Sequence, residues 1–157
     1  KWVKPGNFHI TYAFLGDLEQ PARAVRGMKA GLAGLKAFSV SSGSFGVFPS
    51  SRRPAGRRLT GTVLWVGIAE GAERLRETAG KLAEGLAAEG LIFESRFEPH
   101  VTIGRVKGRL PENFLRRAAD FARAKKAASA ISSVDLLESA LTPAGPVYRT
   151  VFSKKLL

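Results

Sequence analysis

The chain has no cysteine, one methionine, only two histidines, and 13 Asp+Glu against 25 Lys+Arg in 157 residues. The missing cysteine excludes a disulfide framework and thiolate chemistry, and it fits a reducing compartment, so a cytoplasmic location is expected. No apolar run reaches the roughly 20 residues that a membrane helix needs, and no membrane partner is expected. With two histidines and no clustered acid beside them, the chain falls short of the usual three or four metal ligands, and no cofactor is foreseen. Scarce acid leaves a formal net charge of +12. Such a field attracts polyanions, and nucleic acid is the commonest of these in a cytoplasm. What remains is an ordinary globular composition, 45% hydrophobic and 24% charged, in a length suited to one domain or two small lobes sharing a core.

Residues 8–14 alternate strictly. Phe8, Ile10, Tyr12 and Phe14 point one way and His9, Thr11 and Ala13 the other, as in a half-buried strand. Val25, Met28, Leu32 and Leu35 then share a helical face behind Pro21. Residues 38–48 and 62–68 read as strand material, separated by a loop carrying Arg52, Arg53, Arg57 and Arg58. A second helix is predicted from Leu75, Ala79, Leu82 and Leu86, stopping at Gly90. Residues 91–106 hold further strand, and Pro111 opens a third helix with Phe114, Ala118, Phe121 and Ala122 facing inward. Two short strands, 134–137 and 147–152, close the chain around the turn Thr142-Pro143-Ala144-Gly145-Pro146. Strands that follow one another through turn-length links argue for an α+β fold over a doubly wound parallel sheet.

The two histidines carry the same neighbour. His9-Ile10-Thr11 and His100-Val101-Thr102 each set a threonine two positions after the imidazole, and on a strand positions i and i+2 share a face. An imidazole exchanges protons near neutral pH. A threonine hydroxyl can donate a hydrogen bond to an oxyanion. Two such pairs facing one another suit a phosphodiester: one histidine removes a proton from the attacking group, the other protonates the departing oxygen, and the threonines hold the non-bridging oxygens. A lone strand histidine is more often structural, and threonine is common in strands. What lifts the pattern above that background is its repetition at both histidines. Neither closely alternating histidines nor a nucleophile elbow occurs.

At these residues the sequence resembles the two-histidine phosphoesterases, and most nearly the RNA 2′,3′-cyclic phosphodiesterases, also known as 2′-5′ RNA ligases. His9-Ile10-Thr11-Tyr12 and His100-Val101-Thr102-Ile103 look like their paired HxTx motifs. KWVKPGNFHITYAFLGDL, FGVFPSSRRP with VLWVGI, FEPHVTIGRVK and LLESALTPAGPVYRTVF resemble successive blocks of the family in order, over nearly the whole chain. The resemblance implies a single bilobal domain over 1–157, α+β, with two antiparallel sheets and flanking helices facing across a central cleft in pseudo-two-fold symmetry. It implies metal-free hydrolysis of a terminal RNA 2′,3′-cyclic phosphate to a 2′-phosphate by a monomer, with 2′-5′ end joining as a side activity. His9 would be the proton donor, His100 the proton acceptor, and Thr11 and Thr102 would steady the phosphate.

Arg105 matches a phosphate-reaching arginine of the family, yet alternation from His100 turns it behind the His face. A bulge at Gly104 would resolve the conflict. Members usually carry a strand and helix before the first motif, whereas this chain starts eight residues ahead of His9, so an N-terminal strand–helix segment is expected to be missing. The stretch 55–62 is longer than usual and reads either as a basic flap over RNA or as a surface loop. Tyr12, Phe14, Trp2 and Trp65 are expected in the core. Two other functions stay open: a phosphodiesterase of small cyclic nucleotides, and a non-catalytic basic RNA-binding module.

Overall fold

The structure, a computed structural model, describes residues 1–48, 62–94, 96–108, 110–143 and 145–157. The four loop arginines, Arg52, Arg53, Arg57 and Arg58, lie outside the described residues, as does nearly all of the stretch 55–62. Among the described residues the α-helices are α1 (Pro21–Gly31), α2 (Ala72–Ala88) and α3 (Glu112–Ala124). The strands are β1 (Phe38–Phe48), β2 (Thr62–Glu70), β3 (His100–Val106), β4 (Ala128–Ile131), β5 (Ser133–Thr142) and β6 (Gly145–Lys155). They make a four-stranded sheet in the order β3-β2-β1-β4 and a two-stranded sheet of β5 and β6. β1 with β2, β2 with β3, and β5 with β6 all run antiparallel. The α+β class with two antiparallel sheets is therefore the one expected. Among the described residues no helix is long and apolar enough to cross a membrane.

The chain divides into two compact units, Lys1–Thr11 with Val40–Ala72 and Glu98–Ser129, and Tyr12–Ser39 with Glu73–Phe97 and Ala130–Leu157. In the first unit, strand pairing sorts the four-stranded sheet into two faces. Phe45 lies opposite Val66, and Val47 opposite Leu64; this face is apolar, with Leu64 fully buried. Helix α3 lies against it, Phe114 meeting Phe45 nearly at right angles with ring centres 6.1 Å apart. The other face carries Ser44, Gly46 and Phe48 of β1 opposite Gly67, Trp65 and Val63 of β2. His100 and Thr102 of β3 continue that face, opposite Gly67 and Trp65.

The second unit has its own core, built from Ala24, Met28, Leu32, Leu82, Leu86 and Val134, with Tyr12, Leu15, Leu18 and Phe152 around them. Pro21 begins α1, as its fixed φ and missing N–H favour. Past the end of α2, Gly90 takes a left-handed φ of 72° and Leu91 N–H donates to the Leu86 carbonyl, satisfying a carbonyl that the helix end would otherwise leave open. The two helices meet through glycine. A methyl group at Gly27 would stand 2.7 Å from the Gly85 carbonyl oxygen, and one at Gly31 would strike the Lys81 carbonyl. Backbone against backbone brings the buried Leu32, Leu82 and Leu86 together, and full burial of such a leucine contributes about 1.5–3 kcal/mol.

Several expectations are corrected. Residues 8–14 do not form a continuous strand; Ile10 alone pairs, as an isolated bridge to Val101. The boundary between the units falls after Thr11, and Tyr12 belongs to the second unit, where it stacks on Phe97 at 5.1 Å. Burial pushes its hydroxyl up to about 12, the Thr78 side chain opposing part of the effect. Phe14 is exposed, not core, and so are Trp2 and Phe121. Trp2 pairs with Gly104 at the edge of β3, its ring over the glycine instead of in an interior. On α3 the buried arc is centred on Ala118 and Ala122, and Phe121 falls at its rear margin. The closing strands are longer than expected, and β4 was not foreseen.

Candidate active site

One bridge organises the doubled motif. Ile10 pairs antiparallel with Val101, and each is the middle residue of a His-x-Thr triplet. One step to either side in an antiparallel register sets His9 across from Thr102 and Thr11 across from His100. Ile10 and Val101 share the apolar face, because Val101 lies opposite Val66; the four polar side chains therefore project from the other one. Opposite members of such a pair have Cβ atoms about 4.5–5.5 Å apart and diagonal members about 7–8 Å. The register thus puts two imidazoles and two hydroxyls on one face of the pair.

Both rings are anchored alike. Nδ1 of His9 is 2.8 Å from the carbonyl oxygen of Asn7, and Nδ1 of His100 is 2.6 Å from that of Glu98. A carbonyl oxygen only accepts, so in each ring Nδ1 carries the hydrogen and donates it. The remaining nitrogen, Nε2, is then the atom left to exchange a proton. It is a lone pair in the neutral ring and an N–H in the charged one. His9 is exposed and His100 half-buried.

Arg105 also reaches this face, through an irregularity of β3. Leu64 lies opposite Gly104 but Trp65 lies opposite Thr102, so Ile103 is an extra residue on its strand. The bulge reverses the alternation. Gly104 turns in with the buried Leu64, while Arg105, opposite Val63, turns out with His100 and Thr102. The bulge foreseen at Gly104 is thus present, one residue earlier.

Sequence reasoning missed the aromatic surroundings of His100. Phe48 stands nearly perpendicular to its ring at 5.1 Å, and Trp65 lies 6.2 Å away at 63°. Phe48 and Trp65 are themselves stacked at 5.2 Å. The indole rests over Gly46, where a Cβ would collide with it, and beside Gly67, where one would come within 3.0 Å. Trp65 is only half-buried. Gly46, directly across from the tryptophan, and Gly67, two positions after it, were the available signal. Among the described residues no three His, Cys, Asp or Glu gather where a metal ion could be held.

The family model described as the 2′-5′ RNA ligase superfamily matches residues 5–141. The chain is 33% identical to the RNA 2′,3′-cyclic phosphodiesterase of Aeropyrum pernix, over 99% of this chain and 85% of that one. It is 31% identical to the protein of the same name from Aquifex aeolicus, over 96% of this chain and 79% of that one. Among solved structures, E. coli LigT complexed with 3′-AMP matches with a TM-score of 0.69 at 21% identity, covering 99% of this chain and 80% of that one. That likeness speaks for the fold.

Proposed function

The chain belongs to the 2′-5′ RNA ligase superfamily, and from that membership together with its paired His-x-Thr face we propose that it hydrolyses the 2′,3′-cyclic phosphate at the end of an RNA strand to a 2′-phosphate. The observation that carries the reading is the common anchoring of His9 and His100: each donates its Nδ1–H to a carbonyl two residues back, on the same face of one antiparallel pair. Relatives at 31–33% identity carry the name of this activity.

In this mechanism His100, neutral, accepts through Nε2 a proton from a water molecule, whose oxygen bonds to phosphorus. The bond from phosphorus to the 3′ oxygen breaks, and protonated His9 gives that oxygen its Nε2 proton, leaving a free 3′-hydroxyl. Thr11 and Thr102 donate hydrogen bonds to the non-bridging oxygens, whose charge is greatest in the transition state. Arg105 adds a fixed positive charge for the phosphate. A 5′-hydroxyl in the place of water would yield a 2′-5′ linkage by the same transfers, which makes end joining a side reaction.

The test is incubation of an RNA ending in 2′,3′-cyclic phosphate, followed by identification of the product end. A 2′-phosphate formed in the presence of EDTA supports the reading. A 3′-phosphate, or no reaction, overturns it.

A further inference from the structure

We propose that Phe48 and Trp65 are positioning residues that hold His100 in one ring orientation and one tautomer, the form in which its Nε2 can accept a proton. The proposal rests on the acid–base reading above and explains what the strand geometry leaves unsettled. An imidazole is nearly symmetric in shape. A half-turn about its Cβ–Cγ bond exchanges Nδ1 with a carbon, breaks the hydrogen bond to the Glu98 carbonyl and swings Nε2 away from its place on the face. A single hydrogen bond on a half-exposed strand is a weak guard against that rotation.

The aromatic rings supply a second one. Phe48 and Trp65 both pack on the imidazole, at 5.1 and 6.2 Å between ring centres and both steeply inclined to it. Inclined rings at such separations are favourable for aromatic pairs. Neither wall moves alone, since the two are stacked on each other. The indole in turn is seated over Gly46 and beside Gly67, where no side chain intervenes between ring and backbone. A rotating imidazole would have to displace a stacked pair fixed in position by two strands. The rings therefore act through His100: their loss leaves the phosphate contacts in place and misdirects the proton transfer.

The deciding measurement is the tautomer of His100 in the unliganded protein, read from long-range proton–nitrogen correlations with the ring neutral. The native protein is expected to show the Nδ1–H form alone. Phe48→Leu and Trp65→Leu are expected to show a mixture, with kcat reduced roughly tenfold or more and KM nearly unchanged. Phe48→Tyr keeps a ring at the same site and is expected to restore both the single tautomer and kcat. A single tautomer persisting in Phe48→Leu and Trp65→Leu overturns the proposal. So does a loss confined to KM, which would mean that the rings contact the RNA instead. Because the tautomer is read without substrate, failure to hydrolyse the cyclic RNA would sink the assigned reaction and leave this result to be judged by itself.

Discussion

Ile10 is bridged to Val101 at the shared centre of two His-x-Thr triplets, so the local two-fold axis of an antiparallel pair passes between them. Each histidine thereby faces the other motif's threonine. Under the proposed mechanism the two rings divide the work, charged His9 as the acid and neutral His100 as the base. In-line displacement at phosphorus needs that pairing, with one proton removed on the attacking side and one supplied on the leaving side.

Replacement of either histidine should therefore be about equally damaging. His9→Ala and His100→Ala are each expected to lower turnover of a cyclic-phosphate RNA end by about 10²–10⁴-fold. The double variant should be little worse than either, since the two act as a unit. The native profile of kcat/KM against pH should be bell-shaped, with one limb lost in each single variant. Initial rates on end-labelled RNA would check this, and activity surviving either replacement would exclude the two-histidine mechanism.

The threonines divide hydroxyl chemistry from shape. Thr11→Val and Thr102→Val remove the hydroxyl at nearly constant volume, and each should lower kcat by about 10²-fold, the usual cost of one oxyanion donor. Thr11→Ser and Thr102→Ser keep the donor and should recover most of the rate. Equal losses in the two valine variants would reflect the axis through Ile10 and Val101. A serine variant as slow as its valine counterpart would show that packing, not hydrogen bonding, is what the threonine supplies.

The parts of this site that were legible in the sequence are local. That His9 shares a face with Thr11, and His100 with Thr102, follows from the two-residue period of extended chain. The helices announced themselves through Pro21, Gly90 and the spacing of Leu75, Leu82 and Leu86. What depended on a neighbouring strand was hidden. Phe14 continues the alternation of residues 8–14 but has no ladder to continue, because pairing stops at Ile10. Trp65 reads as core within VLWVG, and only Gly46 directly across from it lets the indole lie flat beside His100. Ile103 gives no sign of being the extra residue, which exists only relative to Leu64 and Trp65 on the partner strand.

The helix contact in the second unit offers a stability test remote from the histidines. Gly27→Ala and Gly85→Ala each drive a methyl group into the facing helix backbone and should destabilise the protein by about 1–3 kcal/mol, as overpacking does. Gly80→Ala, also on α2, meets nothing within 4 Å and should stabilise by about 0.5–1 kcal/mol through lower backbone freedom in the unfolded chain. Thermal unfolding would show Tm moving in opposite directions. Unchanged Tm in Gly27→Ala would mean that the helices separate at no cost.

Arg105 tests the bulge. Ile103 is the extra residue on its strand, so deleting it leaves Arg105 two positions after Thr102, still opposite Val63 and on the same face. Deletion of Ile103 should therefore leave the KM for RNA nearly unchanged, whereas Arg105→Ala should raise it. The slope of log kcat/KM against log salt should flatten by about one charge in Arg105→Ala alone. His100 and Thr102 keep their partners Gly67 and Trp65 in both variants, so kcat at saturating RNA should fall less than in the histidine variants. Arg105→Lys keeps the charge and should keep the slope, while losing the two-pronged grip of a guanidinium on phosphate. If the salt slope is unaltered in Arg105→Ala, the arginine makes no phosphate contact.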